Sequence, residues 1–75
     1  MTLDSLVAGC AARVAEVGFD GPMRERLAAL GVSRGRPIEV IHRLGRGGPV
    51  KIRAGRTELV MRAAEAGRIS VEPNA

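Results

Sequence analysis

The sequence predicts a mainly β fold: a small, strongly bent barrel of about five short strands with one short α-helix. Three observations carry this reading. Segments with strand-like alternation recur at close intervals and are joined by glycine-bearing connections, as in "PVKIRAGRTELVMR", residues 49–62. Only residues 22–30 combine helical spacing of apolar residues with chemically specified ends. Finally, a chain of 75 residues has room for one compact core, since so short a domain buries only about 60% of its unfolded surface. Residues 1–75 are therefore read as a single domain.

Taken in order, Leu3 and Leu6 are expected to anchor a loop or single turn ahead of Gly9. "AARVAEV", residues 11–17, reads as the first strand. Val14 and Val17 break its two-residue period, which predicts a bulge or an early exit. The helix follows, with Asp20 or Gly21 suited to the N-cap and Pro22 to the first turn, where its missing N–H would be unpaired anyway. Met23, Leu27 and Leu30 share one helical face, and Arg24, Glu25 and Arg26 fall largely off it. Gly31 stands where a left-handed residue ends a helix, which brings Val32 against Leu27.

Beyond the helix, "SRGRP" is a turn with Gly35 available for positive φ. Ile38, Val40 and Ile41 open an imperfectly alternating strand through Leu44, and "GRGG", residues 45–48, connects it to the next. Val50, Ile52 and Ala54 then share one face, opposite Lys51 and Arg53. Gly55-Arg56 suits a two-residue type II′ hairpin. On the return strand Leu59 and Met61 point inward, with Glu58 and Arg62 outward. "AAEAG" is a brief helical or turn element ended by Gly67, Ile69 and Val71 face inward from the last strand, and "PNA" is a tail.

Composition narrows the function. Cys10 is the single cysteine, so no internal disulfide forms, which favours a reducing, cytosolic setting. No stretch approaches the roughly 18 apolar residues of a membrane span, and the first ten residues lack the basic-then-apolar order of a signal peptide. The 12 basic residues exceed the 8 acidic ones for a net charge of +4, yet they are spread along the chain with no basic run. A solvated mixed surface is thus favoured over a nucleic-acid face. Phe19 is the only aromatic residue, too few for a base-stacking platform or a proline-rich peptide groove, and it reads as a core or staple residue. Binding a duplex backbone through Arg needs only charge, so a basic barrel binding nucleic acid or associated with a repressor is the alternative reading.

Reactive constellations are missing. Cys10 and His42 are the only soft or imidazole ligands and only weak metal candidates; the carboxylates form no cluster in sequence. Cys10 reads as a small packed or surface thiol and His42 as a sheet-surface histidine. Ser5, Ser33, Ser70, Thr2 and Thr57 offer hydroxyls, but the lone His has no expected carboxylate partner for a triad. Neither "GRGG" nor "GVSRG" continues into the Lys-Ser or Lys-Thr of a phosphate-binding loop. The sequence reads as a non-enzyme with no evident cofactor.

"RERLAALGVSRGRPIEVIHR", followed by "GGPVKIRAGRTELVMRAAEAGRISV", resembles the FeoA family of ferrous iron transport proteins and the related SH3-like domain of iron-dependent repressors. The resemblance rests on Leu6, Gly9, Arg24, Arg26, Leu27, Leu30, Gly31, Val32 and Gly35, then on Pro49, Val50, Ile52, Gly55, Leu59, Ala63, Ala66, Ile69 and Val71. It runs from Leu3 to Glu72, and Cys10 departs from it where many relatives carry a polar residue. A chain of this length beginning with Met fits free FeoA better than a domain cut from a repressor. The resemblance implies an SH3-like barrel acting as a cytosolic accessory of FeoB, a membrane iron transporter with a cytosolic GTPase domain. It alone implies an association with Fe(II). The candidate docking surface is the helix corner with Met23, Arg24, Arg26, Arg34 and Arg36.

Overall fold

The computed structural model describes residues 1–45 and 47–73. A 3₁₀ turn, Leu3–Ser5, precedes β1 (Ala11–Val17), α1 (Gly21–Ala29), β2 (Pro37–Arg43), β3 (Val50–Ala54), β4 (Thr57–Met61), the single-turn α2 (Ala63–Ala66) and β5 (Ile69–Pro73). Arg46 of the 45–48 connection, with Asn74 and Ala75 of the tail, lies outside the described residues. The five strands form one antiparallel sheet in the order β4-β3-β2-β1-β5.

One hydrophobic cluster takes side chains from every strand, including Met61 of β4 and Ile69 and Val71 of β5 at the two edges. Edge strands of a flat sheet could not share a core, so the sheet curls on itself. Two register shifts supply the bend, because an extra residue on one strand kinks it and raises the local twist. The first lies between Val14 and Glu16 of β1, the second between Val40 and His42 of β2. The shift in β1 is the irregularity foreseen from the Val14–Val17 spacing, and it buries both valines on one side. The shift in β2 leaves Ile41 half-buried, which explains the imperfect alternation there.

The N-terminus lies along the outer edge of β5. Thr2 bridges to Ser70, and the Val71 N–H donates to the Met1 carbonyl at 2.9 Å. Leu3 and Leu6 are buried beneath the turn as expected. The Arg43 guanidinium fastens the segment from the end of β2, donating to the carbonyls of Asp4 and Leu6, the latter at 2.8 Å. Pro73, expected in the tail, instead ends β5 opposite Ala12.

α1 connects β1 to β2 and is held mainly at its C-terminal end. Asp20 occupies the N-cap position without a side-chain capping bond, and Pro22 sits in the first turn. Of the expected apolar face only Leu27 is buried; Met23 and Leu30 are half-buried. The end of the helix is a complete Schellman motif: the Gly31 N–H donates to the Ala28 carbonyl at 3.0 Å and the Val32 N–H to the Leu27 carbonyl at 2.8 Å. Gly31 has φ of +96°, and a Cβ there would stand 3.2 Å from the Ala54 carbonyl oxygen. The β3–β4 turn has Gly55 at φ +62° and no positive φ at Arg56, the type II′ form.

These two constraints on Gly31 separate experimentally. Gly35 also has positive φ, +86°, but nothing lies within 4 Å of its potential Cβ. Gly35→Ala should cost about 1 kcal/mol from backbone conformation alone, and Gly31→Ala about 2–3 kcal/mol, because Ala54 must also yield. At ~4–8 °C per kcal/mol the two melting temperatures should be clearly resolved, and equal losses would show that the Ala54 contact is not tight.

Candidate functional site

Val17 at the end of β1, Ala28 on α1 and Val32 just beyond it floor a groove beside the helix. Glu16, Arg24, Ser33 and Arg34 line it, and its volume is about 270 Å³. That is small for a substrate cavity, which commonly exceeds about 300 Å³, and it suits one or two side chains of a partner. The fold assembles it from both ends of the helix corner. The β1 bulge sets where Glu16 and Val17 fall, α1 projects Arg24, and the Schellman turn carries the chain to Ser33 and Arg34.

Of the five residues expected at a contact surface, the structure brings Arg24 and Arg34 onto one groove. Arg26 and Arg36 are exposed but do not line it, and Met23 is half-buried against the core. Glu16 and Ser33 escaped the sequence reading. The Val14–Val17 spacing was the available signal for Glu16, since a bulge displaces the residue beside it. None of Arg24, Arg26, Arg34 or Arg36 makes an ion pair or side-chain hydrogen bond among the described residues. Other arginines are engaged: Arg13 donates to the Gly35 carbonyl at 2.9 Å, and Arg68 lies over the Phe19 ring at 4.4 Å from its centre.

A second charged constellation crosses the outer face of β2, β3 and β4. Glu39, Arg53 and Glu58 are lateral neighbours, with Arg53 3.7 Å from Glu39 and 2.9 Å from Glu58; Lys51 reaches Glu58 at 3.3 Å. The hydrogen bond from Arg53, then that from Lys51, holds the Glu58 carboxyl below its ordinary value, and the bond to Glu58 raises Arg53. All these groups are substantially exposed, so the row orders the face more than it stabilises the fold.

His42 is exposed on β2 opposite Lys51. Cys10 is half-buried against the core, its N–H donating to the Val7 carbonyl at 3.1 Å and its carbonyl accepting from the Val40 N–H at 3.0 Å. Among the described residues no group of three or more His, Cys, Asp or Glu could hold a metal ion, and no helix is long and apolar enough to cross a membrane.

A single bent antiparallel sheet around one core, with a shallow charged groove beside α1, defines a small SH3-like β domain. The FeoA domain family matches residues 1–73, and the chain belongs to that family, which is linked to ferrous iron transport. The solution structure of a FeoA protein from Chlorobium tepidum is 35% identical, with a TM-score of 0.91 over 100% of this chain and 71% of that one. Iron(II) transport protein A from Clostridium thermocellum is 32% identical with a TM-score of 0.87, over 97% of this chain but only 45% of that one. A zinc complex of FeoA from Stenotrophomonas maltophilia, described as a prokaryotic SH3 domain protein, is 28% identical with a TM-score of 0.82, over 96% and 89% of the two chains. No curated protein matches.

The lowered Glu58 carboxyl fixes a pH effect. A depressed folded-state value contributes stability that is present above the ordinary value of 4.5 and lost as pH falls through the folded value. Between pH 7 and pH 3, Glu58→Gln should show a shallower fall in melting temperature than the parent. Parallel profiles would mean that the Glu39–Arg53–Glu58 row contributes nothing to acid sensitivity.

Proposed function

We propose that this chain is a cytosolic accessory protein of ferrous iron uptake that docks on the cytosolic part of a FeoB-type membrane transporter and modulates its activity. Family membership supports the iron-transport context, and a ferrous iron transport activating role has been suggested for the Stenotrophomonas maltophilia relative. The observation that carries the docking reading is the pair of unengaged guanidiniums, Arg24 and Arg34, above the apolar floor of Val17, Ala28 and Val32. An acidic side chain of the partner would lie between the arginines while an aliphatic neighbour covers the valines. Arg26, Arg36 and Met23 extend the same corner. Charge at such a rim steers encounter and selects the partner more than it adds affinity. Fe(II) is then the transporter's cargo, and regulation passes through the protein contact.

A base-stacking form of the nucleic-acid alternative gains nothing from the surface. Phe19, the one aromatic side chain, is half-buried and covered by Arg68, so it offers no face for a base to stack on.

Arg24→Glu combined with Arg34→Glu should weaken binding to the cytosolic part of FeoB at least ~10-fold, about 1.4 kcal/mol, and lower FeoB-dependent iron uptake in cells. Arg26→Glu with Arg36→Glu should have the smaller effect. Unchanged affinity and uptake in a folded Arg24/Arg34 variant would overturn the docking surface.

A further inference from the structure

We propose that β4 is a self-pairing edge through which two copies of this chain join their sheets. β4 ends the sheet, and among the described residues its only strand partner is β3. The opposite edge is handled differently, because Met1 and Thr2 lie along β5. In the two-residue hairpin Ala54 faces Thr57 as a doubly hydrogen-bonded pair, so the ladder to β3 uses Thr57, Leu59 and Met61. The alternation of an antiparallel ladder then turns the N–H and C=O groups of Glu58 and Val60 outward. No backbone bond of either residue to another element occurs among the described residues. The Val60 side chain is 62% exposed and Leu59, on the inner face, is only half-buried.

Chemistry selects both the occupant and the register. Placing Glu58 opposite Val60 of the second copy, with Leu59 on the two-fold axis, lets both outward residues of each strand pair and closes four hydrogen bonds. Moving the axis to Glu58 sets two carboxylates against each other. Moving it to Val60 would require Arg62, whose N–H already donates to the Glu65 carboxylate at 2.9 Å and whose carbonyl accepts from the Glu65 and Ala66 N–H groups. The favoured register alone uses every free group without opposing like charges. It also continues the outer face without setting like charges side by side across the seam: His42, Lys51 and Val60 of one copy run into Glu58, Arg53 and Glu39 of the other. The Lys51 stem can lie over Val60 toward that Glu58. On the inner face the two Leu59 side chains meet as a non-hydrogen-bonded pair, the closer of the two antiparallel spacings. Two strands this short bury less than the ~1,200 Å² of a stable interface, so the dimer is a weak one that forms and dissociates with concentration.

Sedimentation velocity of the full chain from about 10 μM to about 1 mM tests this. The expected result is a shift from monomer to dimer across the series, abolished by Val60→Glu. That substitution keeps an exposed position beside Lys51 within its own chain but opposes Glu58 of the second copy. Monomer at every concentration, or a dimer that survives Val60→Glu in a variant with the parent's circular dichroism, would overturn the proposal. Should that variant not fold, Glu58→Cys and Val60→Cys chains, each also carrying Cys10→Ser, decide the register. Oxidation of their mixture should give disulfide dimer at least ~10-fold faster than either chain alone, because the two positions face each other at about 5.5 Å between Cα atoms. Equal rates in all three samples would overturn it.

Discussion

A sheet of five- to seven-residue strands can enclose a core only if it bends sharply, and the two register shifts in β1 and β2 impose that bend. Everything else in the molecule depends on it. With a flat sheet, Met61 and Ile69 would lie at opposite margins with water between them; curled, they join one cluster. The core has no fully buried aromatic ring to fill space, so small and β-branched side chains such as Val14, Val40, Val50 and Ile52 fill it instead. Such residues occupy a tight curved interior without voids, because their shapes are stiff and their volumes small.

The same bend shapes the surface. Within β1, the irregularity that buries Val17 also places Glu16 beside the helix, so core and groove share one local distortion. The glycine-ended helix makes the other wall. Leu27 and Val32 lock its C-terminal end to the core, while in its first turns Met23 is only half-buried and Arg24 is exposed. The acidic side chains of the corner, Glu16 and Glu25, are outnumbered by Arg24, Arg26, Arg34 and Arg36, whereas Glu39 and Glu58 on the outer sheet face are committed to Arg53. The positive helix corner and the self-neutralised outer sheet face thus divide the surface into two kinds of chemistry.

Most of the fold was legible in the sequence because its signals are local. Gly31 with Val32 announces a Schellman ending, Gly55-Arg56 announces a hairpin, and the alternation through Val50, Ile52 and Ala54 announces a half-buried strand. Each depends on a few neighbouring residues whose stereochemistry admits few alternatives. Legibility failed where distant segments decide. Pro73 reads as tail until Ala12 is beside it, and Leu30 reads as core until Leu27 is seen to be the one residue of that helix face that is fully buried. The groove was half legible for the same reason: the helix corner pointed to Met23, Arg24, Arg26, Arg34 and Arg36 together, and the closed fold lines the groove with Arg24 and Arg34.

The pairing of Ala12 with Pro73 joins the first strand to the last and spans nearly the whole chain. The β3–β4 hairpin, by contrast, closes over two residues. Hairpins of that kind form within microseconds, whereas pairings so distant must first bear the entropy of closing a long loop. The hairpin can therefore zip before β5 is in place. Val14, Val17 and Leu3 must wait, because Ile69 and Val71 complete their side of the core. Folding of this domain accordingly completes only when its last strand takes its place beside β1.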